Sequence, residues 1–203
     1  MRLVLLFLTL PSFYPAVLAQ APPPGQPFYL KVVGGNTLIN GAVLRNNNTY
    51  DFGVTPPPYY NSPPYGDHPI PISISTTNTS ELLISPTNPH PGPVRARLAL
   101  VSDGAGDWIL AKAIPQSGGL WNVGPGRDNA VVKVVGWEFK AAIWGGATVL
   151  RWADATSSGR WIAVKSTVTP SDGAPYAKWV VHWFEGSVVR NAKVLSMLLT
   201  TFV

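Results

Sequence analysis

Ala177-Lys178-Trp179-Val180-Val181-His182-Trp183-Phe184 is the stretch whose period decides the fold. Side chains on a strand alternate between faces, so Trp179, Val181 and Trp183 share one face, while Lys178, Val180, His182 and Phe184 share the other. An indole-rich face of this kind belongs in a core, and Trp179 and Trp183 are expected there. No helical period of comparable length competes anywhere in the chain.

The same reading extends outward in both directions. Ile70 to Thr77 alternates strictly, with Ile70, Ile72 and Ile74 on one face and Pro71, Ser73 and Ser75 on a hydroxyl-lined outer face. Phe28 to Val33 and Leu38 to Leu44, joined by Gly34-Gly35-Asn36, read as a hairpin. Asn46-Asn47-Asn48 makes a second turn before a strand over Thr49 to Val54. Further strands are expected over Glu81 to Ser85, Arg95 to Val101, Asp107 to Ala113 and Leu120 to Val123. Ala130 to Ile143 reads as one strand with a bulge at Gly136, and Thr148 to Trp152, Arg160 to Val168 and Lys193 to Phe202 complete the set. Short strands at such spacing indicate an all-β, single-domain antiparallel sandwich or closed barrel. A β-trefoil is the alternative, though no threefold repeat supports it.

At the start of the chain, Arg2, the apolar run Leu3 to Leu10 and Ala16-Val17-Leu18-Ala19 have the three-part pattern of a secretory signal peptide. Residues 1–19 are therefore expected to be removed, leaving a Pro/Gly leader over 20–26 and one β domain over 27–203. Pro11 and Pro15 interrupt the segment, which is too short to anchor the chain, so no stable membrane insertion is expected after cleavage. Localisation is read as secreted, extracellular or associated with a cell wall.

The 203 residues include no cysteine. This excludes thiol catalysis, Cys-ligated zinc and iron–sulfur clusters, and a secreted domain without disulfides must be held by packing. Eight tryptophans, seven tyrosines and seven phenylalanines supply it. Only 12% of residues are charged, and the net charge of +5 is scattered rather than gathered in a stripe. Nucleic-acid reading is not expected from such a distribution.

Thr55 to Pro71 holds seven prolines and three tyrosines, a composition that favours polyproline II and excludes sheet ladders. This Pro-rich loop is read as a surface insertion, or as the segment through which an interaction protein would engage a partner.

All eight tryptophans lie between Trp108 and Trp183. Indole faces stack on sugar rings while neighbouring amides bond the hydroxyls. Trp121 with Asn122, Trp144 and Trp161 are the candidate ligand-binding residues, because each lies at a strand end beside a glycine-containing turn. The partner so implied is a polysaccharide or cell-surface glycan.

Catalysis is the competing reading. A glycosidase needs two carboxylates separated by about 5–5.5 Å or about 6.5–9.5 Å, and Glu138, Glu185 and Asp154 are the candidates. Histidines His68, His90 and His182 show no metal-ligand spacing, and no motif implies a cofactor. Asn47-Asn48-Thr49 and Asn78-Thr79-Ser80 are N-glycosylation sequons, expected in turns. Gly186-Ser187 followed by Val194 to Val203 matches a GPI-attachment signal poorly, and a closing strand is the better reading.

Phe28-Tyr29-Leu30-Lys31-Val32-Val33-Gly34-Gly35, followed by Ile39-Asn40-Gly41-Ala42-Val43-Leu44, resembles the opening hairpin of small secreted fungal surface and cell-wall proteins. The resemblance covers about a tenth of the chain. It implies an extracellular or wall-associated setting, carries over no functional residue and implies no activity.

Overall fold

The computed structural model describes residues 21–34, 37–46, 50–55, 68–84, 96–102, 107–142, 147–153, 159–168, 176–185 and 192–202. Fifteen strands lie among them. The first third of the chain forms β1 (Pro27–Gly34), β2 (Arg45–Asn46), β3 (Gly53–Val54), β4 (His68–Pro69), β5 (Ile72–Ile74) and β6 (Leu82–Ile84). The middle forms β7 (Ala96–Ser102), β8 (Asp107–Pro115), β9 (Trp121–Asn122), β10 (Val131–Lys133) and β11 (Trp137–Ala141). The last part forms β12 (Thr148–Trp152), β13 (Arg160–Val168), β14 (Tyr176–Phe184) and β15 (Ala192–Phe202).

Every strand pair is antiparallel, and the protein is an all-β antiparallel sandwich. Pairings lead from β15 through β1, β5, β6, β7, β8, β14 and β13 back to β15, so hydrogen bonds link the edges of the two layers. The links are short in places: β1 meets β5 only at Pro27–Ser73 and Phe28–Ile72, and β6 meets β7 only at Leu83–Arg97 and Ile84–Ala96. Such junctions do not make a uniform closed barrel, and the pairing order has no threefold repeat of the trefoil kind.

β13 and β14 pair from Arg160–Phe184 to Val168–Tyr176, and the tryptophans of this hairpin face the main core. Trp161 packs edge-on to Trp183 with centroids 5.0 Å apart and stacks on Trp137 at 6.4 Å. Trp152 meets Trp137 edge-on at 4.9 Å. Two of the indole N–H groups find carbonyls inside the core, Trp137 Nε1 donating to Leu98 O at 3.2 Å and Trp161 Nε1 to Leu150 O at 3.0 Å. Most buried polar atoms have such partners, and these two bonds fix the orientation of the Trp137 and Trp161 rings. Phe28, Leu30, Val32, Ile72, Leu98, Leu100 and Leu110 fill the space around them.

Several expected elements are shorter or differently placed. Leu38 to Leu44 is mostly turn, with Lys31–Val43 as an isolated bridge. The expected strand over Ala130 to Ile143 is divided at Gly136, whose φ of +123° takes the backbone where a side chain would not fit; a Cβ there would stand 2.9 Å from the Trp152 ring. Ser73 and Ser75 are buried, contrary to the hydroxyl-lined outer face expected for that strand. The Pro-rich segment also enters the sheet at one point: Pro69 pairs with Arg45 and His68 with Asn46. β4 lies at an end of the strand order, where a residue without an N–H is tolerated. The signal segment, residues 56–67 of the Pro-rich loop, His90 and residues 186–191 of the expected GPI region lie outside the described residues.

No helix among the described residues is long and apolar enough to cross a membrane.

Candidate functional site

The outward faces of β7 and β8 carry small side chains, Ala99, Val101, Ala111 and Ala113. Small residues let another stretch of backbone approach closely, and the excursion between β8 and β11 covers them with Trp121, Val123, Ala130, Val132 and Val134. A second, smaller core results, and its rim holds the candidate site.

Three local devices shape this rim. After Pro115 the chain reverses through a 3₁₀ turn at Ser117–Gly119, where Gly118 and Gly119 both adopt φ of +77°, a conformation glycine takes without steric cost. β9 then pairs with β8 at Ile114–Asn122 and Pro115–Trp121, which seats Trp121 beside the second core. Asn122 Oδ1 accepts the Gly124 N–H at 3.1 Å, an Asx turn that redirects the chain into Pro125-Gly126-Arg127-Asp128.

Tyr50 closes the other wall. Its ring lies so near Gly124 that a Cβ there would stand 3.0 Å away, and its carbonyl accepts the Lys112 N–H at 2.7 Å. Lys112 Nζ lies 5.2 Å from the Tyr50 ring centre, within cation–π range; burial pushes the Lys112 ammonium below its ordinary pKa.

Two grooves flank the Gly124–Ala130 loop. One, of about 470 Å³, is lined by Tyr50, Gln116, Leu120, Trp121, Asn122 and Asp128, among others. The other, of about 450 Å³, is lined by Val101, Asp107, Ile109, Arg127, Asp128 and Asn129, among others. Asp107 is oriented by His182, whose Nδ1 lies 2.9 and 3.0 Å from the two carboxylate oxygens. The first groove combines aromatic walls, two amides, a carboxylate and the Arg127 guanidinium; the second combines apolar sheet residues with the same guanidinium, two carboxylates and an amide. Each groove offers polar and apolar surface in comparable measure, which suits a ligand that carries both.

Trp121 and Asn122 are therefore brought together on one groove. Trp161 is not part of it: this residue, expected as an exposed platform, is 4% exposed and sits in the main core. Its register opposite Trp183 turns the ring inward, which its position at a strand end does not reveal. Trp144 lies outside the described residues, as do Asp154 and Asn47. Glu138 pairs with Lys140 at 2.9 Å, and Glu185 accepts the Trp183 indole N–H at 3.2 Å. Neither acid lines either groove. Asn78 is exposed in a turn, and its side-chain oxygen accepts the Ser80 N–H at 3.1 Å. No cluster of three or more metal-ligating side chains occurs among the described residues.

Tyr50, Gln116, Asp107, Asp128 and Asn129 went unsuspected from sequence. Gly124-Pro125-Gly126-Arg127-Asp128-Asn129 does carry a signal, a polar turn-rich run directly after a candidate tryptophan. Nothing in the chain indicates that Tyr50 lies against it.

No family model matches this chain, and no curated protein or solved structure matches it.

Proposed function

We propose that the protein is a secreted, non-enzymatic β domain that associates with a glycan, a cell wall or a host surface through the groove between Tyr50 and Trp121. The observation that carries this reading is the joint lining of one groove by two aromatic residues and by Asn122, Gln116 and Asp128. Aromatic faces cover the C–H surface of a sugar ring, and amides and carboxylates bond its hydroxyls. The low content of charged side chains, 12%, suits a neutral hydroxyl-rich ligand.

The test is titration of the full chain with polysaccharides and cell-wall fractions while tryptophan emission is followed. Trp121→Phe is the reference that separates the groove indole from the core tryptophans. The expected result is a saturable change in emission that falls sharply in Trp121→Phe and is lost together with binding in Trp121→Ala. Absence of binding to every polysaccharide and wall fraction by the wild-type chain would sink the reading.

A further inference from the structure

The two grooves meet at Arg127 and Asp128, which line both. Arg127 presents its guanidinium to both oxygens of Asp51, so much of its charge is already answered. Asp128 is exposed and takes part in no ion pair among the described residues. The charge presented at the junction is thus a carboxylate, and a second one, Asp107, stands further along the second groove.

We infer that the grooves form one continuous cleft for a linear, uncharged oligosaccharide, with Asp128 as the hydroxyl acceptor at its middle; this rests on the glycan reading above and specifies its ligand class. Each groove falls in the range of about 300–1,000 Å³ that accommodates a small ligand. A linear chain seated on Trp121 and extended past Arg127 and Asp128 runs towards Asn129 in the second groove. A carboxylate accepts two hydroxyl donors at once, which matches neighbouring hydroxyls on one sugar unit. Two carboxylates along the same path repel uronate or sulfated polymers at close range. Beyond roughly 10 Å the chain's net positive charge is largely screened, so the local charge decides.

Calorimetric titration of the full chain with linear β-1,3- and β-1,4-linked glucose oligomers, from disaccharide to hexasaccharide, tests the length requirement. A hexamer of galacturonate tests the charge requirement. Affinity is expected to climb about tenfold or more from disaccharide to hexasaccharide in at least one neutral series. Asn129→Ala, which removes the second groove's amide from an exposed loop, should lower hexasaccharide affinity severalfold more than disaccharide affinity. Should that variant fold poorly by circular dichroism, Asp107→Asn, which keeps the side-chain volume and an acceptor beside His182, provides the same comparison. The galacturonate hexamer should bind the wild type at least about tenfold more weakly than its neutral counterpart, and Asp128→Asn should narrow that gap. Affinity independent of length, with Trp121→Ala still abolishing binding, overturns the continuous cleft and leaves the glycan reading intact. Galacturonate binding equal to neutral binding overturns the ligand class, and failure of every polysaccharide and wall fraction to bind overturns both.

Discussion

Arg127 and Asp51, 76 residues apart, meet as a two-pronged ion pair: Arg127 Nη2 donates to Asp51 Oδ2 at 3.0 Å, and Nη1 donates to Oδ1. Asp51 also bridges to Ala111 of β8 through its backbone. The pair therefore fastens the tip of the excursion to the sheet beneath it. Two-pronged geometry is the stronger form of such a contact, although partial exposure screens it.

Removing either partner is expected to cost about 1 kcal/mol of global stability and a larger share of ligand affinity, because both grooves depend on where the Gly124–Ala130 loop sits. Arg127→Ala, Asp51→Ala and the double variant, compared by urea denaturation and by titration, would show it. The coupling between the two changes should account for most of each single loss. Additive losses would mean that the two side chains act independently and that the loop is held by the second core alone.

The indole cluster should divide the tryptophans sharply. Trp161→Ala removes a ring in contact with both Trp137 and Trp183 and leaves Leu150 O without its buried donor. A loss of about 3–5 kcal/mol is expected. Trp121→Ala, at a half-buried position on the smaller core, should cost about 1–2 kcal/mol and leave far-ultraviolet circular dichroism unchanged. Equal destabilisation by the two substitutions would contradict this division between structural and ligand-facing indoles.

Gly53 marks a backbone approach that permits no side chain. A Cβ there would lie 2.5 Å from the Trp179 carbonyl oxygen and 2.8 Å from Lys178 Cε. Gly53→Ala must therefore push β3 away from β14 at the Gly53–Val180 pairing. It would also disturb the bond from Lys178 Nζ to Asp51 O, now 3.2 Å. Destabilisation of about 1–3 kcal/mol is expected, with faster amide exchange at Phe52 O's donor, Val181 N. Wild-type stability in Gly53→Ala would show that the strand pair yields cheaply.

Periodicity made the sheet legible because it depends only on neighbours along the chain. Ala177 to Phe184 assigns Trp179 and Trp183 to the core without any knowledge of the partner strands, and both are buried. Trp161 was misplaced for the opposite reason. Gly159 beside it reads as a flexible turn, yet a Cβ at that position would stand 2.2 Å from the Trp183 ring; the glycine makes room for an indole. Half of the groove was within reach, since Trp121 and Asn122 stand beside obvious turn residues. Tyr50 and Asp107 were not, because pairing between distant strands brings them to the loop and no local pattern encodes that pairing.

Lys112 supplies a dependence on pH whose sign follows from its burial. Desolvation lowers its pKa from the ordinary value of 10.5, so above neutral pH the unfolded chain holds its proton more firmly than the folded one. Stability contributed at this site therefore rises with pH between the folded pKa and 10.5. The cost of burying the charge is fully felt below the folded pKa, where the Tyr50 ring offsets part of it. Lys112→Met carries no such proton, and the two chains share every other titrating group. Denaturation midpoints measured from neutral pH towards 10.5 should show the wild type gaining stability relative to Lys112→Met as pH rises. Parallel curves would mean that the ammonium stays hydrated in the fold, and a relative loss with rising pH would mean that the Tyr50 contact outweighs desolvation.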